Sequence, residues 1–160
     1  MSYAVDANVL LYAANASCDE NPAAVRFLED CARRGEVMCL AWPTVAAFLR
    51  ISTHPGIFPR PLSFKQAAGY VDTLLALPHV RLLSELEGFW EVFRNVAGAV
   101  LPRGNLIPDA HLAAILKQNG VLTLYTNDTD FKRFDFLRLR NPLQVLPPDP
   151  AASPNPYWKP

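Results

Sequence analysis

Four aspartates far apart in the chain have positions from which their carboxylates could act on one ligand: Asp6, Asp109, Asp128 and Asp130. Carboxylates that approach within a few ångströms repel one another and raise each other's pKa unless a cation lies between them. Oxygen-rich groups of this kind suit Mg²⁺ or Mn²⁺. A cation held there can activate a water molecule and stabilise the charge that develops on a phosphodiester. The simpler alternative is that each aspartate only caps a helix or closes a turn.

Three of these acids follow predicted strands directly. A short apolar run over residues 3–5 predicts a buried strand, and Asp6 lies where that strand meets a helix. A β-rich run over residues 121–125 predicts another strand, and Asp128 and Asp130 come just after it. Ligands of open parallel sheets bind beyond the carboxyl ends of the strands. We therefore expect these side chains to point into one crevice.

The fourth acid lies on a predicted helix. Apolar spacing indicates a helix over residues 106–120, with Pro108 in the first turn, where its missing N–H costs no hydrogen bond. Asp109 follows immediately, in the same turn. This position allows its carboxylate to join the others at the same end of the sheet.

Strands and helices alternate along the chain, which indicates the α/β class with a central parallel sheet of four to five strands flanked by helices. The 160 residues, 51% of them hydrophobic, suffice for one domain with a substantial core. We assign this domain to residues 1–145 and treat the proline-rich residues 146–160 as a tail outside the core. The remaining predicted elements are helices over 21–34, 42–51, 64–77 and 85–100, and strands over 37–40, 79–83 and 136–139.

Composition narrows the possible functions. Fifteen basic and fifteen acidic side chains balance, so a polyanion would have to be held by a local patch. Three cysteines lack metal-ligand spacing and no signal peptide precedes Asp6, which predicts a reduced, cytoplasmic protein. No apolar segment approaches the ~18 residues of a membrane span, so no membrane association is expected. Cys31 and Cys39 are expected in the core, and so are Trp42, Trp90 and the phenylalanines.

Three motifs carry a resemblance to a known family. They read VDANVL over residues 5–10, NLIPDAHLA over 105–113 and LYTNDTDF over 124–131. In this order and spacing they resemble the successive motifs of the PIN-domain nucleases, and more narrowly those of the VapC-type toxins of prokaryotic toxin–antitoxin pairs. The resemblance covers about residues 1–143 and leaves the tail outside it.

The resemblance implies a PIN-like domain with Mg²⁺- or Mn²⁺-dependent endoribonuclease activity, acting as the toxin of a toxin–antitoxin pair and hydrolysing phosphodiester bonds of RNA. Asp6, Asp109 and Asp128 would be the catalytic, metal-binding carboxylates, with Asp130 as an auxiliary acid. Asn8 and Thr126 resemble residues that support the carboxylates or the metal's water. The partners implied are an RNA substrate, a cognate antitoxin protein and a second copy of the chain in a homodimer.

One position departs from the family pattern. These nucleases commonly carry a glutamate on the helix after the second strand, and here Ala47 or Phe48 falls at that point. No Asp or Glu lies between Glu36 and Asp72, so a shift of register cannot restore the acid. Fewer anionic ligands attract a divalent cation less strongly. We therefore expect at most one well-held cation, a preference for Mn²⁺, and a Phe48 that packs inward.

Substrate contacts are predicted more loosely. Arg50, Arg60 and Arg103 lie in or next to loops expected near the crevice and could hold RNA phosphates, although each could equally be a solvated surface charge. His111, two residues after Asp109, points to another side of the helix, which leaves packing and RNA contact equally open.

Two other classes of function remain. A Mg²⁺-dependent phosphotransfer or phosphatase domain also places an aspartate after its first strand, but it needs a late lysine, and neither Lys117 nor Lys132 directly follows a strand. A non-catalytic PIN-like interaction module is favoured only by the missing glutamate.

Overall fold

A computed structural model describes residues 1–144, and the predicted tail over 146–160 lies outside them. Five parallel strands form one sheet in the order β3-β2-β1-β4-β5. The strands are β1 Ser2–Val5, β2 Val37–Ala41, β3 Val80–Leu83, β4 Thr123–Tyr125 and β5 Arg138–Arg140. The helices are α1 Ala7–Ala14, α2 Asn21–Arg33, α3 Trp42–Ser52, α4 Phe64–Leu75, α5 Phe89–Val100 and α6 Leu106–Gln118, and a 3₁₀ turn spans Thr129–Arg133. The predicted α/β fold with a parallel sheet is confirmed.

The first strand lies at the centre of the sheet. It pairs with β2 on one side and with β4 on the other, where Ala4 is in register with Leu124 and Val5 with Tyr125. The chain therefore builds outwards from β1 in one direction and later returns to add β4 and β5 in the other. Reversal of strand order at this point opens a crevice beyond the carboxyl ends of β1 and β4.

Each face of the sheet carries its own apolar core. On one face, β1 and β2 pack with the helices α1 to α4 through residues that include Val5, Leu40 and Phe48. On the other, α6 lies beneath α5 and buries its side chains almost all round, from Leu112 to Leu116. Cys31 and Cys39 are buried, as predicted. Packing in these two layers fixes the positions of α1 and α6, the two helices that begin at the crevice.

The start of α5 differs from the prediction. The helix begins at Phe89, not near residue 85, because Gly88 adopts φ 73° and the preceding segment is held by α6. The side chain of Gln118 accepts a hydrogen bond from the Leu86 amide at 2.8 Å and donates one to the Glu87 carbonyl at 3.0 Å. Side-chain bonds thus replace helical ones in this segment.

The prediction that Trp42 and Trp90 lie in the core is wrong. Trp42 is 52% exposed and Trp90 is 65% exposed, and among the phenylalanines Phe64 is 71% exposed. Trp90 stacks on Phe93 along the outer side of α5, with ring centroids 5.9 Å apart. Apolar spacing identified the helix but not which of its large side chains face the sheet.

The helices of the described residues are short. The longest, α2 and α6, contain 13 residues each, whereas a bilayer span needs ~20 apolar ones. Within residues 1–144, no helix has the length and apolar character to cross a membrane.

Candidate active site

Asp6 lies between β1 and α1 and serves as the N-cap of α1. Its Oδ1 accepts a hydrogen bond from the Ala7 amide at 2.7 Å. Its own amide donates to the Tyr125 carbonyl at 3.0 Å, which ties it to the end of β4. The cap and the crevice position predicted as alternatives therefore coincide in one residue.

The Thr126 hydroxyl connects the ends of β1 and β4. It donates to Oδ2 of Asp6 at 2.7 Å and accepts from the Asp128 amide at 2.9 Å and from Nδ2 of Asn8 at 3.1 Å. Thr126 is only 3% exposed. One buried hydroxyl thus fixes the orientation of Asp6 and the path of the backbone into Asp128.

Three of the four acids lie in one group. Carboxylate oxygens of Asp109, Asp128 and Asp130 lie within 4.8 Å of one another. Asp128 also caps the 3₁₀ turn by accepting from the Asp130 amide at 2.8 Å, and Asp130 faces Arg133 at 3.8 Å on the surface. Asp6 is not in this group of three, although its charge acts on Asp109.

Within this group, the pKa of the Asp109 carboxyl is raised. Burial, together with the negative charges of Asp128, Asp6 and Asp130, raises the pKa of its carboxyl from 3.8 to about 6. No hydrogen bond within residues 1–144 reaches this carboxylate to offset that cost. Burial also raises the pKa of Asp6, against the opposing effect of its bonds from Thr126 and Ala7.

This donor set fits a hard divalent cation. Carboxylate oxygens are the ligands that Mg²⁺ and Mn²⁺ take in proteins. A cation beside Asp109 would relieve the repulsion that raises the pKa of its carboxyl. The acidic cluster therefore has both the chemistry and the unbalanced charge that such an ion requires.

Helix α3 supplies no acid to the site. Phe48 is 2% exposed and packs in the core beside α1 and α4, with its ring 6.2 Å from that of Tyr70. The prediction that Phe48 packs inward is confirmed. The neighbouring Ala47 is half-buried.

The predicted basic contacts do not join the acidic group. Arg50, Arg60 and Arg103 are exposed, and none forms a hydrogen bond or salt bridge with the four aspartates in the described part of the chain. His111 bonds Oε1 of Glu85 through Nε2 at 2.6 Å and packs against Phe89. Its contacts hold the segment before α5 against α6.

Sequence reasoning missed a link on the far side of the site. Nδ2 of Asn141 donates to Oδ1 of Asn127 at 2.8 Å, and the Thr126 amide donates to the Arg140 carbonyl at 2.9 Å. The end of β5 thereby braces the loop that carries Asp128. An asparagine after a short predicted strand gives no local signal of such a contact.

Replacement of the Thr126 hydroxyl should expose its structural role. Thr126→Val keeps the shape but leaves the half-buried Asp128 backbone amide and the Asn8 side-chain amide without an acceptor, and Oδ2 of Asp6 without a donor. We expect the free energy of unfolding to fall by about 1–3 kcal/mol. Urea denaturation measures it, and Thr126→Ser, which restores the hydroxyl, should recover most of the loss. A Thr126→Val protein as stable as the wild type would show that the hydroxyl does not contribute to stability.

Comparison with known proteins agrees with this arrangement. The family model of the PIN domain matches residues 3–137. Ribonuclease VapC48 of Mycobacterium tuberculosis is 37% identical over 142 residues, covering 89% of this chain and 98% of that protein. Ribonuclease VapC43 of the same species is 40% identical, covering 87% and 94%.

A solved structure shows the same fold. VapBC2 from Rickettsia felis, bound to a promoter DNA fragment, has a TM-score of 0.65 at 20% identity, with 88% of this chain and 98% of that chain aligned. The family model, the sequence relatives and the shared fold agree. This chain therefore belongs to the PIN-domain family and, within it, to the VapC ribonucleases.

Proposed function

We propose that this protein is a divalent-metal-dependent endoribonuclease that acts as the toxin of a toxin–antitoxin pair. The observation that carries the proposal is the group formed by Asp109, Asp128 and Asp130 at the crevice where Asp6 also ends its strand. The relatives at 37% and 40% identity are named ribonucleases.

In this mechanism Asp6, Asp109 and Asp128 would hold Mg²⁺ or Mn²⁺, and Asp130 would be an auxiliary acid at the rim. When bound, the cation supplies an activated water and stabilises negative charge on the phosphodiester. Thr126 keeps the Asp6 carboxylate turned towards the crevice, and Asn8 holds the Thr126 hydroxyl in the orientation that permits this. Arg50, Arg60 and Arg103 remain candidates for phosphate contacts.

Metal removal tests the activity. Purified protein with Mn²⁺ should cleave single-stranded or looped RNA, and excess EDTA should reduce the rate to background. Added Mn²⁺ should restore cleavage, and Mn²⁺ should serve better than Mg²⁺ at equal low concentration. Gel analysis of labelled RNA measures the rate. Cleavage that persists unchanged in EDTA would contradict the metal mechanism.

The proposed setting is the cytoplasm, with a cognate antitoxin and a second copy of the chain as partners. The structure of VapBC2, whose chain shares this fold, contains a promoter DNA fragment. The exposed Trp90, stacked on Phe93 along α5, supports self-association. Sedimentation equilibrium should give a dimer, and a monomer at high concentration would contradict this part.

A further inference from the structure

A groove of about 580 Å³ runs beside α2 on the side of β5. We call it the α2 groove and define it by the lining residues Arg26, Asp30, Arg34, Tyr125, Arg140 and Asn141. No residue of the acidic group lines it. The proposed function leaves it without a role.

Three arginines give the groove its charge. Arg26 lies on α2 and Arg34 directly follows the last residue of that helix, eight positions later, which separates the two by ~12 Å along the helix axis, and Arg140 faces them from β5. All three are exposed, and none forms a salt bridge within residues 1–144.

Two acids also line the groove, and the negative charge of one of them is already balanced by a neighbouring arginine. Asp30 lies 3.6 Å from Arg33, which is not a lining residue. Asp19 stands at the other end, near the start of α2. Three guanidinium groups therefore face one carboxylate that has no cationic partner in the described residues. The balance favours an anionic ligand.

The floor of the groove is attached to the active site. Tyr125 immediately precedes Thr126, and its carbonyl accepts the Asp6 amide at 3.0 Å. Asn141 donates to Asn127, the neighbour of Asp128, at 2.8 Å. A single strand of RNA that leaves the acidic crevice past the Asn127 loop would therefore enter the groove directly.

Tyr125 adds an aromatic surface to this path. Its ring is half-buried, held 5.2 Å from that of Tyr3 and 4.7 Å from that of Phe27. Rings fixed in this way act as platforms on which single-stranded bases stack, beside cations that hold the backbone. The groove combines both features.

We propose that the α2 groove binds the single-stranded RNA that flanks the scissile phosphodiester, with Arg26, Arg34 and Arg140 on phosphates and Tyr125 against a base. The inference rests on the proposed ribonuclease function and extends it. It assigns the main phosphate contacts to residues other than the three arginines predicted from the sequence.

The test compares two doubly substituted full-length proteins that lose the same charge. Arg26→Ala with Arg34→Ala removes two of the three arginines of the groove, whereas Lys65→Ala with Arg94→Ala removes two exposed cations elsewhere. Both pairs are combined with Asp128→Asn to prevent cleavage. Fluorescence anisotropy with a labelled single-stranded RNA of about twelve nucleotides measures affinity over a range of salt concentrations.

The groove pair should weaken RNA binding ~10-fold or more at low salt and reduce the salt dependence by ~1.4 in log–log slope, as loss of two phosphate contacts from a single strand predicts. The control pair should change neither. Equal affinities for the two pairs would overturn the proposal. So would loss of affinity only for an acidic peptide, since the groove would then hold a protein segment.

Cleavage by proteins without the Asp128 substitution separates this inference from the function on which it rests. With Mn²⁺, the groove pair should lose activity on long RNA but retain wild-type activity on a dinucleotide, which fills only the crevice. Wild-type protein that cleaves neither substrate would defeat the proposed function. Wild-type cleavage with an unaffected groove pair would defeat the groove alone.

Discussion

Asp109→Asn should abolish metal-dependent RNA cleavage and, at the same time, stabilise the metal-free protein. The amide removes one anionic ligand, and a loss of ~10³-fold in rate corresponds to the several kcal/mol that a cation's charge stabilisation supplies. In the absence of metal the same amide removes a charge that is penalised by burial and by repulsion from Asp128 and Asp6, the effects that raise the pKa of this carboxyl to about 6. Because the group is partly solvated, we expect a gain of about 1 kcal/mol in the free energy of unfolding above neutral pH.

The pH dependence of this gain has a definite sign. A carboxyl whose pKa is higher in the folded state binds a proton on folding between its ordinary value of 3.8 and about 6. Its ionisation therefore lowers the stability of the fold as pH rises through that window. Urea titrations in EDTA should show wild type and Asp109→Asn nearly equal near pH ~4 and diverging up to pH ~7. The exposed Asp72→Asn should show no such divergence, and a constant difference at every pH would contradict the electrostatic cause.

Phe48→Glu should unfold the domain and leave metal binding without any gain. Phe48 is 2% exposed in the core between α1 and α4, so glutamate there loses the apolar contacts and buries a charge with no cation. The expected cost is ~4 kcal/mol or more, most of the stability of a marginal domain. Circular dichroism on heating measures the loss.

A neighbouring substitution provides the control. Ala47→Glu places the same charge on the same helix at a half-buried position and should alter the free energy of unfolding by only ~1 kcal/mol. Phe48→Leu should lie between the two. A folded Phe48→Glu protein with tighter Mn²⁺ binding in calorimetry would show that the side chain reaches the crevice after all.

The sequence was sufficient for the fold because the relevant signals are local. The apolar runs before Asp6 and Asp128 define strands, and the helical spacing around Asp109 defines α6, so alternation alone predicts the parallel sheet. Boundaries that depend on distant contacts were misplaced. The start of α5 is set by Gln118, a residue 31 positions from Glu87.

The exposure of large side chains was also predicted poorly from the sequence. Trp42 and Trp90 are large and apolar, as core residues are. Whether each side chain is buried depends on which neighbouring element packs against its face of the helix. The arginines of the α2 groove were missed for the same reason. Arg26 and Arg140 are 114 positions apart, and only the pairing of β4 with β5 brings them together.

The strand order has a consequence for how the protein is made. Asp6 is synthesised before the residue whose hydroxyl orients it, which lies 120 positions later in the chain. Domains fold as units once their sequence is available, and β4 can dock beside β1 only after residues 123–125 have been synthesised. Nascent chains and prematurely terminated fragments that end before residue 123 carry Asp6 but no Asp128. Translation that stops before residue 123 therefore releases fragments in which this site cannot assemble.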